Sequence, residues 1–256
     1  MLPPEVLNFI AQKYGNLPIS VQEYPIHSVV RFAAAVAAGP PVTYTIDQSS
    51  RIGFSYGVNG DMGPAGRAGV LATQADTNIQ VAGQTRDQAD VMIYGMSCFL
   101  QPGSEGMLVG DVWRESDIQI ATNSDTTIPA GTLEAYPQPG GLYGSQLSQI
   151  RIPAIDEMGG FDGGKGVQQG FASNGNPTAG SFRRFENPIF WAGLSSGPDS
   201  NLQIIITPRR VITRSAPLAR PAAAGIGVYT PPSAAFVDVR INLHAATIKR
   251  RGVNAG

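Results

Sequence analysis

Lysine is nearly missing from this chain of 256 residues: Lys13, Lys165 and Lys249 stand beside fifteen arginines. Charged residues of both signs are only 14%, against about 25% in ordinary soluble domains, so little like-charge repulsion opposes association. Interfaces favour arginine and are depleted in lysine, whose flexible, strongly hydrated ammonium is costly to immobilise. Extensive oligomerisation accounts for this bias, and compositional drift in a GC-rich genome accounts for it equally. The single cysteine, Cys98, excludes an internal disulfide. Its apolar surroundings point to a buried structural thiol rather than a nucleophile. One cysteine and two histidines, His27 and His244, provide no metal-ligand spacing. No apolar run approaches the roughly 18 residues of a membrane-crossing helix. The N-terminus has neither a basic n-region nor a continuous apolar h-region, so no secretory signal is expected. The protein is therefore expected to stay in the cytoplasm that makes it, or to leave by a route needing no address.

What is present is alternation. From Ala235 to His244 the chain reads Ala-Phe-Val-Asp-Val-Arg-Ile-Asn-Leu-His. Val237, Val239, Ile241 and Leu243 fall on one face of a strand, and Asp238, Arg240, Asn242 and His244 on the other. This is the last of about eight such segments. The others are expected at His27–Ala37, Val42–Ile46, Arg51–Val58 (with Ile52, Phe54 and Tyr56 on one face), Val91–Leu100, Asp117–Thr122 with Thr126–Tyr136, Asn187–Leu194, and Leu202–Ile206 extending through 211–213. The 31 glycines and 20 prolines supply many turns. Residues 59–89, 137–180 and 215–234 read as insertions or loops. The length suffices for one large β-domain or two small ones. No internal repeat indicates a propeller or solenoid. The fold class predicted is all-β, an antiparallel Greek-key or jelly-roll sandwich.

One helix is predicted. Pro3 and Pro4, Glu5 in the first turn, Lys13 in the last and Gly15 beyond are helix punctuation. Val6, Leu7, Ile10 and Tyr14 make an apolar stripe at helical spacing. A helix of about ten residues is marginal alone, so it must dock on its own domain, a neighbouring subunit or a lipid surface. These four residues are the candidate assembly contacts.

No catalytic constellation emerges, so the protein is expected not to be an enzyme, and no cofactor is expected. Gly193-Leu194-Ser195-Ser196-Gly197 matches the nucleophile-elbow pattern, which requires a preceding strand and a following helix. Here Pro198-Asp199-Ser200-Asn201 leads to another strand, so Ser195 is read as a turn residue and not as a nucleophile. Gly159–Gly166 falls one residue short of a phosphate-binding loop, with Gly166 where the magnesium-liganding hydroxyl belongs; a glycine loop is expected. Asp156, Glu157 and Asp162 are expected to be solvated. Trp113, Trp191 and most aromatics fall on alternating apolar faces and read as core.

Charge is unevenly spread. Residues 207–256 carry eight basic side chains (Arg209, Arg210, Arg214, Arg220, Arg240, Lys249, Arg250, Arg251) against Asp238, a net of +7 that leaves −8 elsewhere. Such a basic end suits nucleic acid, lipid headgroups or acidic patches of sister subunits.

Thr77-Asn78-Ile79, Gly83-Gln84 and the apolar strand Val91–Leu100, followed by Phe185-Glu186-Asn187-Pro188-Ile189, Leu202–Ile206 and a last strand ending in Arg250-Arg251, carry a loose resemblance over about residues 75–250. The chain resembles the major capsid proteins of tailless icosahedral, often membrane-containing, phages and archaeal viruses. The resemblance implies a jelly roll assembling as trimeric or hexamer-like capsomers with other capsid proteins, in a virion put together in the host cytoplasm, and no catalytic residues. A double roll needs about sixteen strands, so a single roll with long insertions is favoured over a compact double one. The organisation expected is an N-terminal helix and arm (1–26), a jelly-roll domain (27–251) and a tail (252–256). Lys249, Arg250 and Arg251 are expected to face genome or membrane. A carbohydrate- or receptor-binding β-sandwich, such as a spike or lectin module, is the alternative, and an enzyme on a jelly-roll frame the third reading.

Overall fold

A computed structural model of the chain describes residues 2, 4–15, 17–82, 89–101, 104–122, 126–136, 145–155, 161–171, 183–191, 202–216 and 233–250. In chain order the elements are α1 (Pro4–Tyr14), β1 (Ile19–Glu23), β2 (Ile26–Ala37), β3 (Thr43–Ile46), β4 (Arg51–Gly53), β5 (Asp61–Met62), β6 (Arg67–Leu71), β7 (Asp90–Leu100), α2 (Gly106–Glu115), β8 (Ser116–Thr122), β9 (Thr126–Thr132), β10 (Ser145–Ile155), β11 (Phe161–Phe171), β12 (Arg183–Trp191), β13 (Leu202–Pro208), β14 (Ile212–Ser215) and β15 (Ala235–Arg250). The chain is all-β and antiparallel. A large sheet runs β12-β7-β15-β2-β3-β14, with β1 added alongside β15, and a smaller one runs β4-β13-β8-β9.

The alternation places the core. Val237, Val239, Ile241 and Leu243 of β15 are buried with Val30 and Phe32 of β2, and with Ile118, Ile120, Leu202, Ile204 and Ile206 of the smaller sheet, in one apolar cluster. The two sheets pack closely at Gly53: a Cβ there would lie 3.0 Å from Ile241 Cδ1 and 3.6 Å from Val30 Cγ1. Trp113, Trp191 and Cys98 join this cluster, as their sequence context predicted.

Several expectations are corrected. The residues between β7 and β8 form a second helix, α2, whose Leu108, Val109, Val112 and Trp113 enter the core. The strand expected over 51–58 stops at Gly53. Phe54 turns the chain with a φ of 65°, yet it and Tyr56 are buried as the alternation required. Ile19–Glu23, expected to be part of an arm, pairs with β15 over Ala246–Arg250, beyond the end of β2. The glycine-rich run at 161–166 belongs to β11, hairpinned with β10, and so forms a strand where a loop was expected.

Residues 54–79 are not a free loop either. They close the first part of the β2 edge that faces away from β15, which β3, paired only at Ala35–Ala37, does not reach. Thr77 bridges Ser28, and its hydroxyl donates to the His27 carbonyl at 3.0 Å. The His27 amide donates to Asn78 Oδ1 at 2.8 Å, and the Val29 amide to the Tyr56 hydroxyl at 2.9 Å, which in turn donates to the Val29 carbonyl. Gly66 packs so tightly on the strand that a Cβ would sit 2.1 Å from the Arg31 carbonyl oxygen. An exposed sheet edge invites pairing with other chains, and here the insertion occupies it.

Candidate functional site

Register brings both histidines of the chain together. β15 lies between β2 and β7, and its even-numbered side chains leave the face of the large sheet turned away from the core. There Asn242 is opposite His27 of β2 and Ser97 of β7, with Arg240 and His244 two residues to either side along β15. Diagonal neighbours in an antiparallel sheet stand about 7–8 Å apart, so these five side chains form one polar cluster at the centre of the sheet.

Its contacts are specific. Arg240 Nε donates to Asn242 Oδ1 at 3.0 Å, and Ser97 Oγ lies 3.1 Å from His244 Nε2. His27 Nε2 is 3.3 Å from the Gln74 carbonyl oxygen. A carbonyl only accepts, so this contact assigns the proton of neutral His27 to Nε2. Partial burial, then the Arg240 guanidinium, holds the His27 pKa below its ordinary value against the Gln74 carbonyl and Asp76. Burial lowers His244 likewise, with Glu23 opposing, and lowers Arg240, which stays charged regardless.

The carboxylates nearby are engaged. Asp238 takes a two-point bond from Arg31, Nε to Oδ1 and Nη2 to Oδ2, both at 2.6 Å. The same guanidinium stacks 3.7 Å over the Phe236 ring. Glu23 accepts from the Tyr94 hydroxyl, and burial and that carboxylate together push the Tyr94 pKa up. Asp76 accepts from Arg67 Nη1 at 2.7 Å and from the Thr73 amide and hydroxyl.

Ser97 and His244 stand at the separation of a nucleophile and its base, but Ser97 has no exposed surface. A substrate carbonyl cannot reach its oxygen, so the pair is structural. Burial pushes the Cys98 thiol far above its ordinary pKa, so it is a core side chain. Among the described residues, no three His, Cys, Asp or Glu side chains come together as metal ligands.

The candidate assembly contacts divide. Val6, Ile10 and Tyr14 are buried within the chain itself, against Met92, Tyr94, Ala246 and Ile248 at one end of the large sheet's outer face. They are therefore used in docking α1 on its own sheet, and of the four only Leu7, 49% exposed, remains for a partner. Lys13 caps the same seam, its Nζ 3.0 Å from the Phe190 ring centroid.

The basic end is partly compensated within the fold, which the charge count could not reveal. Arg214 makes a two-point pair with Asp111 of α2, Arg210 reaches Glu115 at 2.8 Å, and Arg209 lies 3.4 Å from Asp117. Asp111 also holds the Arg214 pKa above its ordinary value. Lys249 is exposed on β15 opposite Ser20, and Arg250 pairs with Ile19 in the ladder. Arg251, Ser195, Asp156 and Glu157 lie outside the described residues, as does the side chain of Asp162.

No known family pattern, curated protein or solved structure matches the chain.

Proposed function

We propose that this chain is a structural shell subunit, a jelly-roll capsid protein that assembles with copies of itself. The pairing order carries the reading. Of the eight principal strands, the first pairs with the last (β2 with β15), the second with the seventh (β4 with β13), the third with the sixth (β7 with β12) and the fourth with the fifth (β8 with β9). One long hairpin rolled up on itself has this nested order, and its two halves are the Greek keys of a jelly roll. On this reading β1, β3, β14, the hairpins β5–β6 and β10–β11, and the two helices are additions to a single roll.

Three further features favour a shell subunit over a lectin-like module or an enzyme. Charge is sparse and arginine-biased. The large apolar side chains most exposed among the described residues are all aliphatic, whereas a sugar-binding platform usually exposes aromatics. The Ser97–His244 pair is sealed from substrate. The partners proposed are other copies of the chain, in trimers or hexamer-like capsomers, with further capsid proteins. The run Lys249-Arg250-Arg251, at the basic end of the last strand, would lie toward genome or membrane.

Analytical ultracentrifugation with electron microscopy of the purified protein tests the reading. Trimers, hexamer-like rings or shells are the expected result. A monomer at high micromolar concentration in physiological salt would overturn it.

A further inference from the structure

Arg240 sits at the middle of a sheet face, is partly desolvated, and among the described residues has no carboxylate partner. We infer that its cluster is a binding site for a small oxyanion, a carboxylate or a phosphate, held by the Nη groups of Arg240 and the amide of Asn242 with His27 beside them.

The donors are arranged in advance. The bond from Arg240 Nε to Asn242 Oδ1 fixes the guanidinium fork and leaves its two Nη groups with no acceptor among the described residues. With its oxygen occupied, Asn242 offers its NH2 group as a further donor. Both residues lie on β15 where it is paired on both sides, so their backbone positions are held firmly. A guanidinium edge meets two oxygens of a carboxylate or phosphate, and charge-assisted bonds of this kind are the strong ones.

The surrounding charges leave the position open. Asp238 is taken by Arg31, Asp76 by Arg67 and Thr73, and Glu23 by Tyr94, whose other charged neighbour is Arg184. The field that Arg240 exerts on His27 is positive and incompletely balanced by Asp76. His27 adds a pH response. Its Nε2 faces the Gln74 carbonyl, so Nδ1 gains a hydrogen only when the ring becomes charged. Acidification therefore brings a second cation to the site. His244, held by Ser97 and facing Glu23, adds a third. The inference is independent of the assembly reading, because a monomer and a shell subunit would hold the anion alike.

The test is a titration of the full chain with inorganic phosphate and, separately, with acetate, at constant ionic strength in chloride. The Arg240 Nε–H signal and the two imidazoles are followed by NMR at about pH 7, and the acetate arm is repeated at about pH 5.5, where the imidazoles gain charge. A saturable shift centred on Arg240 and His27 with at least one anion is expected, with tighter acetate binding at the lower pH. The anion bound more tightly assigns the ligand class. Arg240→Gln should weaken binding by about tenfold or more, the scale of a lost charged hydrogen bond. Arg240→Lys should retain part of the affinity and keeps the test open if the glutamine variant fails to fold. Arg209→Gln, away from the cluster, should change nothing. Shifts that stay linear in anion, or that are unchanged in either Arg240 variant, would overturn the site.

Discussion

Asp238→Asn removes a charge from the outer face of the large sheet while preserving side-chain shape, and the cost can be worked from the geometry. Arg31 and Asp238 face each other across the β2–β15 ladder and meet at two points, both 2.6 Å. Their side chains are 22% and 8% exposed. Breaking a fully buried pair costs about 3–5 kcal/mol because a charge is stranded, whereas a solvent-exposed pair is worth about 0–1 kcal/mol. With the carboxylate shielded and the guanidinium partly wet, about 2 kcal/mol is expected for Asp238→Asn. Arg31→Met keeps the aliphatic cover over Phe236 and should cost about 1–2 kcal/mol, stranding Asp238 in its turn. The double variant should then lose less than the sum, with a coupling of about 1.5 kcal/mol in the cycle. Urea unfolding at unchanged m-value is the assay. In thermal melts the asparagine variant should fall by about 4–8 °C for a domain of this size. A coupling below about 0.5 kcal/mol would refute the reasoning, since it would mean that solvent screens the pair as it does a surface one.

Two further predictions concern the insertion and the histidines. Gly66→Ala places a methyl against the Arg31 carbonyl at a residue whose φ is +90°, so a loss of about 2–4 kcal/mol is expected. Faster amide exchange confined to 54–79 and His27–Arg31 would locate it there, and unchanged exchange would show that the insertion does not hold the edge. His27 and His244 both have folded pKa values below their ordinary 6.5. Their contribution to stability is thus present above about pH 6.5 and is lost as pH falls through the depressed values. Urea midpoints should drop from pH 7.5 toward pH 5, and His27→Gln with His244→Gln should flatten that slope; an equally steep slope in the double variant would assign it to carboxylates.

Much of this molecule is legible in one dimension. β15 and β13 announce themselves because a half-buried strand must alternate, and that constraint acts between residues two apart, whereas β7 is legible as a short apolar run buried on both faces. The same constraint marked Phe54 and Tyr56 as buried, although the segment is a turn and not a strand, because burial followed their pattern while the backbone followed the edge they cap. α1 was visible from its punctuation. α2 was hidden by Gly106 and Gly110, and only the spacing of Leu108, Val109, Val112 and Trp113 carried a helical signal. β1 is five residues of Ile-Ser-Val-Gln-Glu, and it is a strand because β15 runs on past the end of β2 and leaves an edge to fill. Tertiary structure alone decided the rest. Two histidines 217 positions apart in the numbering share one sheet face because register sets Asn242 opposite His27. A basic C-terminal end acquires acidic partners because α2 delivers Asp111 and Glu115 beside Arg214 and Arg210. Local pattern determines which side chains can be buried, and pairing between distant strands determines which of them meet.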